Sequence, residues 1–349
     1  MSLYDSQTYL KDLEEAAKNS INLEQIKNKS ILVTGATGTI GSFVVDMLLH
    51  YNRTDKAGVK VYALGRSINR LAERFGKAKT ESLIYVEHDV CNQISFDFPL
   101  DYIIHTAGNA HPAAFNGDPV GTIIGNVTGT YSLLEYGRKH GAKRLLYVSS
   151  GEVYGQGDLS LNEFEESYSG YLDTMLPRSC YPSSKRTAET LCASYSKQYG
   201  LETVIVRPCH TYGPSITASD SRANAQFFRN VINNEDIIMK SAGLQMRSYC
   251  YIADCASAIM TVLIAGKSGE AYNIANRNAR ITIAGLAVVI AEKAGRKVVF
   301  TDPNTDDLAN RTPIAKQVLS SKKLESLGWE GKYGIKEGIS NTLAILQEK

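Results

Sequence analysis

The sequence predicts an α/β protein in which a doubly wound parallel sheet carries a smaller mixed α/β cap. Six apolar strand segments alternate with helical segments as far as residue 213, and this order is typical of parallel sheets with helices on both faces. A glycine-rich turn joins the first strand directly to the first helix. After residue 214 the pattern becomes mixed, which indicates a cap over the sheet.

The expected elements follow in chain order. The core strands are predicted at 30–34, 59–64, 82–88, 101–105, 144–149 and 201–206, and the main helices at 43–50, 120–139 and 182–199. In the cap we expect helices at 224–233 and 283–295 and strands at 237–240, 247–252 and 271–275.

Three parts are expected along the chain. Residues 1–28 are polar and favour helices, so we expect a helical extension that packs on the body of the protein. Residues 29–213 form the core, and residues 214–349 form the cap. Because neither internal repeats nor a low-complexity linker separates them, we expect the two lobes to interleave around 246–275.

Composition excludes several classes of function. The formal net charge of +2 and the scattered charges argue against nucleic-acid binding. The six Cys and six His are dispersed, so we expect neither a metal site nor a disulfide framework, and the thiols indicate a reducing compartment. No apolar stretch approaches a membrane span, and the N-terminus has acids where a signal peptide would be apolar. We therefore expect a cytoplasmic enzyme without nucleic-acid or membrane partners.

The first functional signal is the segment Gly35–Gly41, which has the pattern G-x-x-G-x-x-G between a strand and a helix. Glycines permit a tight turn and a close backbone approach to a pyrophosphate, which then lies at the N-terminus of the following helix. This placement predicts a dinucleotide-binding βαβ unit. The expected cofactor contacts in the turn are Gly35, Thr37, Gly38, Thr39, Ile40 and Gly41.

The end of the second strand bears on the choice of cofactor. Enzymes that prefer NAD usually carry an acid there for the ribose 2′-hydroxyl, but this chain has Gly65 and Arg66. An Arg can pair with a 2′-phosphate, so the sequence favours NADP over NAD, with a solvent-facing Arg as the alternative. Further cofactor contacts are expected at Asp89 and Val90 near the adenine, at Thr106, Ala107 and Gly108 beneath the nicotinamide-side ribose, and at Asn126.

The candidate catalytic residues follow the fifth strand. Tyr181 and Lys185 are four residues apart and share one face of a predicted helix. A nearby ammonium favours the phenolate, so the sequence predicts a Tyr with a lowered pKa that exchanges protons with a sugar hydroxyl. Ser150 is expected to hydrogen-bond that hydroxyl and Glu152 to act as a base or acid, because ligands bind at the carboxyl ends of the strands. A surface Tyr–Lys pair and a capping Ser are the structural alternatives.

With these residues assembled, the chain resembles the extended short-chain dehydrogenase/reductase superfamily over nearly all of residues 29–345. The resemblance is carried by T-G-A-T-G-T-I-G, S-S-x-E-V-Y-G, Y-x-x-x-K, R-P-x-x-x-Y-G-P and a closing L-G-W. Within this superfamily, P-R-S-C-Y-x-x-x-K-R, R-S-x-x-Y-I-x-D and R-x-P-I are similar to UDP-glucuronate decarboxylases. The resemblance implies a Rossmann fold, a bound NAD or NADP, and a nucleotide-diphosphate sugar as substrate. It implies oxidation at the sugar C4, loss of CO₂ and return of the hydride by the same cofactor.

The resemblance also implies residue roles. Tyr181 would be the C4 base, Lys185 the residue that tunes it and Ser150 the hydroxyl partner. Glu152 and Arg311 would match the acid/base and carboxylate-handling residues. The substrate contacts implied by position are Arg178, His210 and Arg247. The helices at 120–139 and 182–199 would pair across a homodimer interface.

Three positions depart from the decarboxylase pattern. Gly151 stands in place of a hydroxyl or an acid, His210 in place of an Asn, and Gly65-Arg66 in place of the NAD-selecting acid. These departures leave epimerase or dehydratase chemistry open, and they leave an NADPH-dependent reductase of a nucleotide-linked keto sugar as the main alternative. A non-catalytic cofactor-binding protein is disfavoured because the Ser, Tyr and Lys are all present.

Overall fold

A computed structural model describes residues 2–302 and 314–348 of the chain. Its strands are β1 (Ser30–Thr34), β2 (Lys60–Gly65), β3 (Leu83–Glu87), β4 (Tyr102–His105), β5 (Arg144–Val148), β6 (Glu202–Pro208), β7 (His210–Tyr212), β8 (Ile237–Met239), β9 (Met246–Tyr251), β10 (Glu270–Ile274), β11 (Arg280–Thr282), β12 (Val298–Phe300) and β13 (Lys316–Gln317). Its α-helices are α1 (Gln7–Lys18), α2 (Thr39–Asp55), α3 (Ile68–Phe75), α4 (Pro112–Gly117), α5 (Pro119–Lys139), α6 (Cys180–Tyr199), α7 (Ala223–Ile232), α8 (Ile252–Ala265) and α9 (Ile283–Lys293), followed by Lys322–Glu325 and Ile335–Gln347.

Seven strands form one parallel sheet in the order β10-β6-β5-β4-β1-β2-β3. The interior strand β1 has four fully buried residues, Ile31, Leu32, Val33 and Thr34, because helices cover both faces of the sheet. Strand order reverses between β1 and β4, and this reversal opens a crevice at the carboxyl ends of the strands. The predicted doubly wound Rossmann sheet is confirmed.

The long helices α5 and α6 have clear start and stop signals. At the start of α5, Pro119 occupies the first turn and the Asp118 side chain accepts a hydrogen bond from the Gly121 amide at 2.9 Å, as expected of an N-cap. At the end of α6, Gly200 takes a left-handed conformation with φ of +72°, which favours glycine. The two helices therefore occupy the sequence ranges that their patterns predict.

The cap is built on short strands rather than on a second large sheet. In it, β9 pairs with β11, β13 and β7, and β8 pairs separately with β12. After β6 the chain enters this part and later returns to the large sheet as β10, where Ala271 pairs with Ile205 of β6. The strand expected at 271–275 therefore forms in the large sheet.

The N-terminal extension packs on the body of the protein. In α1, Tyr9 and Leu13 are buried and belong to the same core cluster as α2 and α8. Within residues 2–302 and 314–348, no helix has both the length and the apolar character needed to cross a bilayer.

Candidate active site

A cavity of about 1970 Å³ lies along the carboxyl ends of the parallel strands. It extends from the glycine-rich turn, past Tyr181, to Arg247 in the cap. This volume exceeds the roughly 300–1,000 Å³ of a pocket for one small ligand. The cavity therefore has room for a dinucleotide and a second ligand side by side.

The glycine-rich turn fits a pyrophosphate. Gly35 has φ of +62°, and a Cβ there would lie 2.8 Å from the Ala107 backbone. A Cβ at Gly41 would lie 2.5 Å from the Gly35 carbonyl oxygen and 2.7 Å from Thr106 Oγ1. Only glycine lets the turn approach this closely, so the amides at the start of α2 remain open to an anion. All six residues predicted as contacts in the turn line the cavity.

The other predicted cofactor residues lie along the same wall, with one exception. Arg66, Asp89, Val90, Thr106, Ala107 and Gly108 line the cavity. Asn126 is buried behind it: Nδ2 donates to Ser184 Oγ at 2.9 Å, and Oδ1 has no hydrogen-bond partner among the described residues. A Cβ built on Gly108 would lie 2.8 Å from that Oδ1. Asn126 thus supports the Gly108 backbone instead of lining the cavity.

Tyr181 and Lys185 meet at the middle of the cavity. The Lys185 ammonium lies 5.8 Å from the centroid of the Tyr181 ring and donates to the Val148 carbonyl at 2.9 Å. Burial lowers the pKa of Lys185 to about 8, so the amine is still mostly charged at neutral pH.

The pKa of Tyr181 corrects the expectation from the sequence. Burial and the negative charge of Glu152 raise this pKa to about 12, and a hydrogen bond with Ser150 opposes them. The prediction that the pKa of Tyr181 is lowered is therefore wrong for the protein in this state. The i, i+4 spacing shows that Lys185 is near Tyr181, but it does not show that the phenol is buried or that Glu152 is close.

Glu152 and Arg178 form an ion pair beside Tyr181. Arg178 donates from Nη1 to Oε2 at 2.9 Å and from Nη2 to Oε1 at 3.0 Å. Its guanidinium also lies 4.5 Å from the centroid of the Phe115 ring, which stacks on Tyr181 at 5.2 Å. Arg178 was predicted as a substrate contact, and in the structure it lines the cavity but is paired with Glu152.

Ser150 lies where β5 ends, as predicted. Its hydroxyl accepts a hydrogen bond from the Glu152 amide at 3.1 Å, so the side chain caps the short 3-10 helix that carries Glu152. The capping role is observed, and the functional role stays a prediction that is compatible with it, since Ser150 also lines the cavity near Tyr181.

His210 and Arg247 line the cap end of the cavity. Burial and nearby cations lower the pKa of His210 to about 3, so the ring is neutral, and its Nε2 is buried without a partner among the described residues. Arg247 is 3% exposed and donates to the Met246 and Ile314 carbonyls, without an ion pair to a described carboxylate. A buried cation with no carboxylate partner among the described residues, together with an open ring nitrogen, is suited to a polar, anionic ligand.

Gln317 is a cavity residue that sequence reasoning missed. It pairs with Arg247 between β13 and β9 and lies close enough to His210 to act on the pKa of that ring. Its Nε2 would lie 3.4 Å from a Cβ at Gly151, so the Gln317 amide occupies part of the space that a side chain at 151 would need. No local motif marks this residue, because the contact depends on the pairing of two distant strands.

Arg222 and Phe115 were also missed. Arg222 lines the cavity, is held by Asp220 in an ion pair of 2.5 Å, and its charge lowers the pKa values of Tyr181 and His210. The only sequence signal was the D-S-R triplet, which is common in loops. Arg311, predicted from the resemblance to handle a carboxylate, lies outside the described residues.

Within the described parts of the chain, no three His, Cys, Asp or Glu side chains are grouped to hold a metal ion. Charges of both signs line the cavity, and among them Arg178 is paired with Glu152 and Arg222 with Asp220.

Two relatives and two solved structures place the chain among known proteins. UDP-glucuronic acid decarboxylase 6 of Arabidopsis thaliana is 34% identical over 89% of this chain and 87% of that protein. UDP-glucuronic acid decarboxylase 1 of Xenopus tropicalis is 29% identical over 94% of this chain and 74% of that protein.

The solved structures agree in fold. UDP-glucose 4-epimerase of Thermus thermophilus in complex with NAD has a TM-score of 0.74 and 26% identity, covering 91% of this chain and 98% of that one. A dTDP-glucose 4,6-dehydratase of Streptomyces venezuelae with NAD bound has a TM-score of 0.78 and 24% identity, covering 91% and 97%.

The model of the NAD dependent epimerase/dehydratase family matches residues 31–275, which include the glycine-rich turn, Ser150, Tyr181 and Lys185. The resemblance to extended short-chain dehydrogenase/reductase enzymes, and among them to UDP-glucuronate decarboxylases, is confirmed. The chain belongs to the NAD-dependent epimerase/dehydratase family.

Proposed function

We propose that the protein modifies a nucleotide-diphosphate sugar through a keto intermediate, and that decarboxylation of UDP-glucuronate is the best-supported reaction. The observation that carries the proposal is one continuous cavity in which Tyr181 lies between the glycine-rich turn and the buried cation of Arg247. The decarboxylases named above support the choice of substrate. Epimerisation and dehydration proceed through the same first step and are the nearest alternatives.

Tyr181 is the proposed proton acceptor for the sugar hydroxyl. Tyr181 is 5% exposed, and Ser150 lies close enough to lower the pKa of its phenol, so a sugar hydroxyl placed between the two side chains would contact both oxygens. A bound NAD supplies a hydride acceptor that can later return the hydride. Because its pKa is raised to about 12 in this state, Tyr181 must first lose its own proton before it can accept one from the sugar hydroxyl. The protonated phenol that results can then return the proton to a ketone oxygen.

Glu152 is the proposed second acid or base. Arg178 holds its carboxylate through two hydrogen bonds, and such bidentate pairing fixes orientation as well as charge. The Glu152 carboxylate remains close to Tyr181 in this pair, since its negative charge raises the pKa of the Tyr181 phenol.

Arg247 and His210 are the proposed contacts for the substrate's polar groups. The guanidinium can pair with diphosphate oxygens, and the neutral His210 ring can hydrogen-bond a hydroxyl or phosphate. Gln317 adds an amide at the same place. Arg311, which lies outside the described residues, is proposed to handle the substrate carboxylate on the resemblance alone.

The test is to incubate the purified protein with UDP-glucuronate without added cofactor and to measure CO₂ and the sugar product by NMR. Release of CO₂ with a pentose product supports the decarboxylase. Conversion without CO₂ supports an epimerase or dehydratase, and the absence of any conversion of UDP-, CDP-, GDP- and dTDP-sugars contradicts the proposal.

An NADPH-dependent reductase of a nucleotide-linked keto sugar is the second candidate. It is favoured by Arg66, which is exposed at the end of β2 and lines the cavity where an acid would select NAD. We accordingly propose a preference for NADP within the NAD-type site. Stoichiometric consumption of NADPH with a keto sugar supports this reading, whereas catalysis without net consumption contradicts it.

We further propose a homodimer in the cytoplasm. On α5 an apolar stripe that includes Val120, Ile123 and Tyr131 is exposed, and exposed apolar stripes of this kind often form protein interfaces. The six free thiols, five of them buried, support a reducing compartment.

A further inference from the structure

Residues 2–9 precede the part of the chain that matches the family model, which begins at residue 31. Ser2, Leu3 and Tyr4 nevertheless line the same cavity as Gly38 and Arg66. They do so beside α3, whose Arg74 donates a hydrogen bond to the Tyr4 hydroxyl.

The segment is fastened to α2 through one carboxylate. Tyr4 donates its hydroxyl to Asp46 Oδ1 at 2.7 Å, and Tyr9 donates to Oδ2 at 2.5 Å. The Asp46 side chain is fully buried, and its helix α2 begins in the glycine-rich turn. Residues 2–9 are therefore tied to the helix whose N-terminus faces the pyrophosphate site.

The same carboxylate ties the segment to α3. Arg74 of α3 pairs with Asp46 at 2.5 Å and donates from Nη1 to the Tyr4 hydroxyl at 2.8 Å. A buried ion pair of this kind is costly to break and so fixes the groups that it joins. Because Asp46 neutralises Arg74, we assign the Arg74 guanidinium a structural role in the cavity wall. It is not a cation available to bind an anionic ligand.

Two other arginines are available at this end of the cavity. Arg66 follows β2, and Arg70 lies one turn before Arg74 on α3. Both are exposed, both line the cavity, and neither forms an ion pair with a carboxylate in the described parts of the chain. The end of β2 is where dinucleotide-binding sheets hold the adenosine ribose.

We propose that residues 2–9 form the outer wall of the adenosine subsite and, through Asp46, hold α3 so that Arg70 joins Arg66 at that subsite. The ligand is the adenosine-diphosphate half of a dinucleotide. The proposal rests on cofactor binding and is independent of which sugar the enzyme takes.

The first test is hydrogen–deuterium exchange after co-purified nucleotide has been removed with charcoal. ADP-ribose contains the adenosine half without the nicotinamide, and UDP serves as the probe for the other end of the cavity. We expect ADP-ribose, and not UDP, to slow exchange in peptides that span residues 2–9. Unchanged exchange with saturating ADP-ribose overturns the proposal.

The second test measures dissociation constants for two variants by calorimetry. Tyr4→Ala removes the ring and hydroxyl from the wall, and a chain lacking residues 2–5 removes the short 3-10 helix while keeping α1 intact. We expect each to weaken ADP-ribose about tenfold, and UDP by less than twofold. Tyr171→Ala, at an exposed Tyr outside the cavity, is the matched control and should change neither.

The outcomes separate this proposal from the proposed function. Unchanged ADP-ribose affinity in folded variants overturns it, and so does an equal loss of affinity for both probes, which indicates general structural support. If the unaltered protein fails to bind UDP, the choice of UDP-glucuronate as substrate fails, while exchange and ADP-ribose affinity still decide the role of residues 2–9.

Discussion

Arg178 and Glu152 face each other through two parallel hydrogen bonds of 2.9 and 3.0 Å, although they lie on different elements of the chain. Both side chains are partly buried, with 25% and 19% of their surface exposed. The charge of Glu152 in turn raises the pKa of Tyr181. The ion pair and the phenol are therefore electrostatically coupled, and a change in one alters the others.

The Glu152–Arg178 pair should show coupling in a double-mutant cycle. We expect Arg178→Met and Glu152→Gln each to lower kcat/KM, and the double variant to lose less than the sum of the two. The expected interaction is about 1–2 kcal/mol, as for other charge pairs in direct contact. Arg178→Lys should restore only part of the activity because Lys cannot make the bidentate contact. Strictly additive losses would show that the two side chains act independently and that their ion pair makes no contribution to turnover.

Tyr181→Phe should lower kcat by about 10²-fold or more, since removal of a general acid or base has this effect. The ring of the variant still fills the space and stacks on Phe115, so the dissociation constant for UDP should change little. Tyr199→Phe, on the exposed end of the same helix, is the control. Near-normal kcat in Tyr181→Phe would exclude the phenol from the proton transfer.

The buried Lys185 should lower the free energy of unfolding more at neutral pH than at alkaline pH. Burial lowers the pKa of Lys185 from 10.5 to about 8, so the folded protein binds its proton less tightly than the unfolded chain. The cost is fully present below pH 8 and disappears as the pH rises from about 8 to 10.5, with an upper limit of about 3 kcal/mol.

Urea unfolding of Lys185→Met at pH 7 and pH 10 tests this sign. Relative to the unaltered protein, the variant should gain more unfolding free energy at pH 7 than at pH 10. Lys197→Met, at an exposed position of the same helix, should show a difference that does not change with pH. A pH-independent difference for Lys185→Met would contradict the buried ammonium.

Arg66→Asp should shift cofactor preference from NADP towards NAD, since an acid at the end of β2 repels a 2′-phosphate and can bind a ribose 2′-hydroxyl. We expect the ratio of the two dissociation constants to change by at least tenfold, or about 1.4 kcal/mol. Lys60→Asp makes the same charge change at the other end of β2 and should leave the ratio unchanged. If the NADP-to-NAD ratio of dissociation constants is the same in both variants, Arg66 faces solvent and does not contact the cofactor.

The apolar stripe on α5 should be needed for assembly. Val120 and Tyr131 are 69% and 50% exposed, and we expect Val120→Glu combined with Tyr131→Glu to halve the mass measured by light scattering. Ile238→Glu places a charge at an apolar residue of β8 that is 47% exposed and should not change the mass. A monomeric unaltered protein would contradict the homodimer directly.

Local patterns in the sequence predicted the parts of the site that depend on local geometry. The glycine-rich turn, the strand-end Ser150 and the Tyr181–Lys185 spacing each depend on a few neighbouring residues, and the structure brings them to one cavity. The same patterns predicted the strands of the large sheet, because buried parallel strands are continuous apolar runs.

Contacts between distant segments could not be predicted in this way. Arg178 pairs with Glu152, which is 26 residues away, and Gln317 reaches His210 only because β13 pairs with β9. The predicted direction of the Tyr181 pKa shift was wrong for the same reason, since tertiary packing determines both the burial of the phenol and its distance from Glu152. Helical spacing records which residues are neighbours in a turn but carries no information on these distant charges.

The return of the chain to the large sheet as β10 limits how the protein can be divided. β10 covers the edge of β6, and α8 packs against the same strand. A fragment that ends at residue 213 would leave Val204, Ile205 and Val206 on an open edge strand, and such apolar edges promote aggregation. During synthesis on the ribosome this edge stays uncovered until residue 274 has been made. Fragments for expression should therefore extend past β10, and the nascent chain is a natural client for chaperones over that interval.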